Sequence, residues 1–403
     1  MPIRSQACAW MAGLALVVPS LVMAQDRTER EVVELIVRDG PQAKAIRAET
    51  DVARRAQLAR LAYPNPTVTY SRESAGFTEF FQAEQALPLF GSREALSRAG
   101  VAATAAAEAE RDARIWLLRS EAAAAVARLV AEQERHQLAE VHMREVERVI
   151  DILRTREREG EGSRFDRLRA EQELGEARQF MASAAVAVVD ARAALSGMLP
   201  PDVTLTRVVS AVPSPQPVVP AETLMARAAT SRAELRALQE SGQRATFEAD
   251  AARRLRLPSP NIFGGVKRAD DDTGRETGSI FGLTLSLPLF DDGDREGARW
   301  AAERARIDAE RASIEHRIRS EITGASAALS IRHDAASQDQ QGTAEELRRI
   351  AEVAYREGEV GILEWLDAVR MTSRARIRGA DLRLEVRLAE IALERAVGDT
   401  LWP

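Results

Sequence analysis

The sequence predicts a mainly helical protein with a small membrane β part, its pattern written twice along one chain. Three observations lead there: a composition typical of long helices, two stretches of alternating apolar and polar residues, and motifs that recur about 200 residues apart. Of the 403 residues, 45% are hydrophobic and 29% charged, yet only 4% are aromatic. Ala, Leu, Glu and Arg dominate, the mixture found in long helices and coiled coils rather than in a compact globule. The net charge is −6, with no basic excess to suggest nucleic acid. Lys44 and Lys267 are the only lysines, and the arginines alternate with glutamates as helix-surface pairs do.

Residues 1–24 carry Arg4, an apolar run from Ala7 to Val22, and Val22-Met23-Ala24 before Gln25. This reads as a secretory signal peptide. Its Cys8 is the only cysteine and does not sit at a lipid-anchor cleavage point, so the exported chain is expected to be thiol-free and not lipid-anchored. No later stretch has the ~18 apolar residues of a spanning helix.

The remainder divides into a first repeat (25–199), a Pro-rich connection (200–220) where no helix can run, and a second repeat (221–403). "LAYPNPTVTY" (61–70) is echoed by "LRLPSPNIFG" (255–264), "QALPLFGSRE" (85–94) by "LSLPLFDDGD" (285–294), and "EREGEGSRFDRLRA" (157–170) by "YREGEVGILEWLDA" (355–368). The three offsets, 194, 200 and 198 residues, keep order and near-constant spacing, as a duplication does.

Each repeat reads as helix, two strands, a long outgoing helix, a glycine break and a return helix. The first helical hairpin is expected over about 92–198 with its tip near 158–165; the second over about 295–397 with its tip near 356–363. The segment 92–158 lacks proline, and from Leu118 its seam runs through Ala122, Ala125, Leu129, Glu132, His136, Ala139, Met143, Val146, Ile150 and Leu153. Steps alternating between four and three are coiled-coil spacing, and such a helix reaches about 100 Å, too long to fold into a globule. Its counterpart, about 295–357, carries Ile307, Ile314, Ile318, Ile322, Ala325 and Leu329 at similar steps.

Strands are expected within 65–90 and 260–290. Phe281, Leu283, Leu285, Leu287 and Leu289 share one face against Thr284 and Ser286; Phe81, Ala83, Leu87 and Leu89 oppose Gln82 and Glu84. Such alternation suits a membrane β-strand, apolar outward and polar inward; a half-buried soluble hairpin alternates in the same way. Four strands cannot close a barrel, and open edges cannot sit in lipid, so a membrane reading requires several copies to pool their strands.

These residues resemble the TolC-like outer-membrane efflux family. "QALPLFGSR" (85–93), "LPLFD" (287–291) and "YREGEVGILEWLDAVR" (355–370) look most like its cation-efflux (CzcC-type) branch, and the likeness runs through nearly all of the chain after residue 24. It implies a trimer: a twelve-stranded barrel in the outer membrane continued by a periplasmic tube of helices, with 200–220 in the belt around the tube. It further implies docking on a periplasmic adaptor and an inner-membrane pump of the RND type, with no cofactor and no catalysis.

At the tube's end each helix must reverse. Gly160 with Gly162, and Gly358 with Gly361, offer the backbone freedom, which makes these turns the expected adaptor-docking tip. Ser163-x-x-Asp166 has capping-box spacing, and Glu364 favours a helix start. The resemblance places two carboxylates of the second half, Glu364 and Asp367, around the periplasmic constriction. It also matches Asp166 and Tyr355 to a gate network whose arginine is missing, since Val360 stands in its place. Arg370, three residues after Asp367, is an alternative partner for it as an ordinary surface pair.

No phosphate loop, CxxC or HExxH occurs, and His136, His142, His316 and His333 lie on helical stretches without ligand spacing. Ser163 has no histidine near it in sequence and a cap to serve. The aspartates 270–272 read as a solvated loop. An adaptor would need a β-rich C-terminal half, and a pore-less coiled-coil scaffold would leave the alternating strands unexplained. The likeness to the cation-efflux branch implies heavy-metal cations as cargo, with organic compounds as the alternative.

Overall fold

The computed structural model describes residues 27–73, 78–89, 91–205, 207–209, 219–271, 274–290, 292–338 and 341–402. The expected signal peptide lies outside them, as do residue 206 and residues 210–218 of the Pro-rich connection.

The chain opens with β1 (Arg27–Thr28), α1 (Glu29–Asp39) and α2 (Pro41–Arg60), then β2 (Thr67–Glu73) and β3 (Thr78–Ala86). A 68-residue helix, α3 (Ser92–Glu159), runs out and α4 (Arg164–Ser196) returns. After β4 (Val208–Val209) the order recurs: α5 (Ala221–Ser231), α6 (Ala233–Arg253), β5 (Ser259–Asp271), β6 (Gly274–Ser286), α7 (Asp294–Ser337), α8 (Gln341–Arg356) and α9 (Ile362–Val397).

Beyond the splitting of each leading helix in two, at Gly40 and at Arg232, two features depart from the sequence expectation. The second outgoing helix is not continuous: α7 ends at Ser337 and α8 begins at Gln341. The sequence from Ser337 to Thr343 offers no apolar residue to continue the seam, and Ser337 turns its hydroxyl to the Asp334 carbonyl at 2.7 Å. The other is β1 pairing in parallel with β4 (Arg27 with Val208, Thr28 with Val209), a two-residue contact too short for any pattern to announce.

β2, β3, β5 and β6 form one antiparallel sheet in that order, so β2 and β6 are its edges. The register aligns one face throughout: Val68 lies opposite Ala83, Ala83 opposite Gly264 and Gly264 opposite Phe281. Along β6 that face shows Phe281, Leu283 and Leu285, exposed by 80%, 63% and 48%, with no helix among the described residues packed over them. The opposite face carries Thr67, Thr69, Ser71, Gln82, Asn261, Thr284 and Ser286, and Glu84 accepts from Asn261 at 2.8 Å. It also carries Phe80 and Phe263, two aromatic rings, with Ile280 and Ala86, on a wall that is otherwise mostly polar.

The helices bury three separate clusters instead of one globular core. One joins Val32, Val33 and Ile36 of α1 to Leu118, Ala122, Val126 and Leu129 of α3. Another joins Leu224 of α5 to Ile318, Ile322 and Leu329 of α7 and Leu393 of α9. The third lies at the tip. Between the repeats, Arg60 of α2 reaches the buried Glu248 of α6, Nη2 to Oε2 at 2.7 Å. Among the described residues no helix is long and apolar enough to cross a membrane.

Candidate functional site

The two helix reversals are built alike. α3 ends on Gly160 at φ 79°, and α8 is followed by Gly358 at φ 77°, both in the left-handed region that favours glycine. In the first, Gly160 N–H donates to Glu157 O at 3.2 Å and Glu161 N–H to Arg156 O at 2.9 Å. In the second, Gly358 N–H donates to Tyr355 O at 3.2 Å and Glu359 N–H to Ala354 O at 2.8 Å. This paired pattern satisfies the last carbonyls of each helix, and it is why each chain stops there.

The restarts differ. Ser163 Oγ accepts from Phe165 N–H at 3.1 Å and caps α4. The expected second arm of a capping box is absent among the described residues: Asp166 stays half-buried and acts on Tyr355 instead. α9 starts after Gly361 with no side-chain cap, and a Cβ on Gly361 would come within 3.0 Å of Glu364 Oε2, so that carboxylate folds over the first turn. Gly162 is closely hemmed, a Cβ there lying 2.8 Å from Glu157 N, whereas Gly160 and Gly358 have nothing within 4 Å.

Behind the turns Val146, Val149, Ile150 and Leu153 of α3 pack with Ala170 of α4, Tyr355 of α8, and Ile362, Trp365, Leu366 and Val369 of α9. Tyr355 and Trp365 stack with ring centroids 4.8 Å apart. Arg156 of α3 stands over the Tyr355 ring at 5.2 Å and donates to the Tyr355 carbonyl at 3.3 Å. Burial pushes the Tyr355 phenol above its ordinary pKa; Arg156 works against that shift and Asp166 adds to it. A guanidinium does stand beside Tyr355, then, but it comes from α3 and not from position 360. Sequence reasoning singles out neither Arg156 nor Trp365. Trp365 lies inside the repeated motif, which is a usable signal; Arg156 is one arginine among many.

Glu364 and Asp367 lie together on the exposed face of α9. The alternative pairing of Asp367 with Arg370 does not form. Arg370 instead crosses to α4 and grips the buried Glu173, Nε to Oε1 at 3.1 Å. A two-pronged bond to a buried carboxylate outweighs an exposed i,i+3 pair. Of the histidines, His142 rather than His136 is buried. The aspartate run lies partly outside the described residues; Asp270 pairs with Arg275 at 2.8 Å. No group of three or more metal-ligating side chains occurs among the described residues.

Comparison with curated proteins finds no match. Residues 224–399 match the family model described as outer membrane efflux protein. Among solved structures, the chain is similar to CusC, at 17% identity over 93% of this chain and 92% of that one, with a TM-score of 0.74. It is similar to the CmeC outer membrane channel of Campylobacter jejuni, at 12% identity over 100% and 95% of the two chains, with a TM-score of 0.72. The MtrE outer membrane channel of Neisseria gonorrhoeae matches at 18% identity over 93% and 90%, with a TM-score of 0.70. At such identities the likeness is one of fold. The chain therefore has the fold of the outer-membrane efflux channels, and its second half carries the sequence pattern of the outer membrane efflux protein family.

Proposed function

We propose that the protein is the outer-membrane channel of a tripartite efflux system: a passive duct, not an enzyme, that assembles as a homotrimer. It would dock through its tip on a periplasmic adaptor and an inner-membrane pump of the RND type. The observation that carries this reading is the sheet. Its edges β2 and β6 are open, its apolar face is uncovered, and its other face is mostly polar. Lipid on one side and a lumen on the other account for both faces, and a neighbouring copy on each side accounts for the edges.

A second surface supports assembly. On α4, Phe165, Leu168, Gln172, Gly175, Gln179, Ala182, Val186, Val189 and Ala193 are all exposed, none is charged, and they step by three and four. That is a coiled-coil seam without a partner inside the chain. The Pro-rich 200–220 segment would belong to the belt around the tube. At the tip, Tyr355 and Asp166, with Glu364 and Asp367, would line the closable mouth, and Gly160, Gly162, Ser163, Gly358 and Gly361 the docking turns.

For cargo we propose metal cations, in keeping with the motif likeness to the cation-efflux branch and with the exposed Glu364 and Asp367. Phe80 and Phe263 on the polar face favour a second reading, export of organic compounds, because bare metal ions need no aromatic wall. Cross-linking the purified protein in detergent should give a ladder ending at three; a monodisperse soluble monomer would refute the channel. Tolerance of a deletion strain to divalent metals and to aromatic drugs separates the two cargoes.

A further inference from the structure

A polar layer sits immediately behind the apolar tip cluster. His142 of α3 is buried, 7% exposed, one turn before Val146, and its Nδ1 has no hydrogen-bond partner. The charged groups around it are Glu145 on its own helix, Glu173 on α4, and Arg370 and Arg376 on α9. Arg376 donates to Glu145 at 3.2 Å and, on its other side, to Glu345 of α8 at 2.6 Å; Arg370 is held by Glu173. Two carboxylates and two guanidiniums thus surround the imidazole, while Glu345 is shared with Arg348 of α8 at 3.6 Å, and Glu145 Oε2 is buried without a partner. The layer leaves one buried carboxylate oxygen unpaired, and its one titratable base has an unused nitrogen. An apolar side chain would fill a seam position beside Ala139 and Val146 at lower cost, since buried polar atoms without partners are expensive.

We propose that His142 is the sensor of an acid-sensitive latch. Once protonated it draws Glu145 and Glu173 away from Arg376 and Arg370, which releases the start of α9 from α3 and α4 and frees the tip to open.

The sign follows from burial. Desolvation holds the imidazole below its ordinary value, while Glu173 and Glu145 oppose that shift. For a base whose value is lowered in the packed state, packing is fully stable above the ordinary value of about 6.5 and loses stability as pH falls below it. Acid therefore favours the loosened arrangement, in which the imidazolium reaches water and the spare Glu145 oxygen.

The inference rests on the channel reading, so two measurements on the full-length protein keep the two apart. In planar bilayers, mean conductance should rise at least about threefold between pH 7.5 and 5.0 in the wild type, and stay flat in His142→Gln. In detergent, the wild-type-to-variant ratio of hydrogen-exchange rates over 362–376 should rise at pH 5.5 relative to pH 7.5. If no channel forms at any pH but the exchange response is present, the channel reading fails and the latch stands. A conductance response that persists in His142→Gln, or that disappears in His333→Gln instead, overturns the latch, as does a wild type without any response. Should His142→Gln not assemble, Glu145→Gln, which removes the acceptor and keeps the imidazole, should shift the response to lower pH; an unchanged midpoint overturns it equally.

Discussion

Replacing Leu285 by arginine tests the membrane assignment near the middle of the apolar face. The apolar face of the sheet runs along β6 from Phe281 to Leu285 and continues to Leu287 beyond the strand, so Leu285 lies near the middle of the band. Its cross-strand neighbour is Pro260, and no charged side chain on that face lies within one register step to receive a guanidinium. An arginine at the midplane of such a barrel costs about 2–4 kcal/mol per copy, roughly a 30- to almost 1,000-fold loss in folding equilibrium. Thr284, one residue earlier, points to the opposite face across from Asn261, where a charge meets water. Leu285→Arg should therefore reduce heat-modifiable, detergent-resistant assembly sharply, while Thr284→Arg leaves assembly near wild type and alters only conductance. Folding yield into lipid vesicles, read by gel mobility with and without boiling, measures both. Equal losses would mean that the two faces are not lipid and lumen, and that the open sheet is not part of a membrane barrel.

Three further outcomes follow from the tip. Gly160→Val and Gly358→Val have room for a side chain but must hold φ near +79° and +77°. Each should cost about 1–2 kcal/mol of local strain, so trimer yield survives while efflux is lost; if yield falls in parallel, the turns are structural only. Glu364→Ala combined with Asp367→Ala should relieve block of the conductance by multivalent cations added on the periplasmic side, and block that survives removes both residues from the mouth. Arg156→Met should release the end of α8 by about 1 kcal/mol, the size of an exposed cation–π contact with a bond to a carbonyl. Hydrogen exchange over 353–362 should then rise, and unchanged protection would show that the Tyr355–Trp365 stack holds α8 without it.

What can be read from sequence has local causes. Alternation at 281–287 fixes the faces because side chains in a strand alternate whatever the strand packs against, and the glycines at 160 and 358 mark the reversals because only the backbone decides them. What cannot be read depends on tertiary partners. α5 and α6 are separate helices because Arg232 breaks the run in an extended conformation, its guanidinium donating to the Arg395 and Ala396 carbonyls at 2.8 and 3.1 Å. No local signal marks that arginine among its neighbours. The seam on α3 reads as one line in the sequence, yet near residue 142 the helix packs between α4 and α9. Its buried strip is two positions wide there, and His142 lies on the second of them.

The Arg156 contact shows why the tip resisted motif reading. The resemblance to TolC-like channels asks for an arginine at 360 beside Tyr355, and Val360 is there instead. The guanidinium beside that ring comes from 199 residues away, across the boundary between the repeats. This placement changes what opening requires. An arginine at 360 would travel with Tyr355, because it would sit in the short turn that directly follows the last residues of α8, Tyr355 among them. Arg156 belongs to α3, so breaking its bond to the Tyr355 carbonyl means moving α8 and the start of α9 away from α3 within one chain. Arg370 to Glu173 and Arg376 to Glu145 cross that same divide, tying α9 to α4 and α3. The three arginine contacts thus resist a single displacement, and loss of any one should lower the barrier to the others. Arg156→Met and Arg370→Met should consequently be non-additive in tip exchange rates, coupled by about 0.5 kcal/mol or more. Strict additivity would separate the turn from the layer behind it.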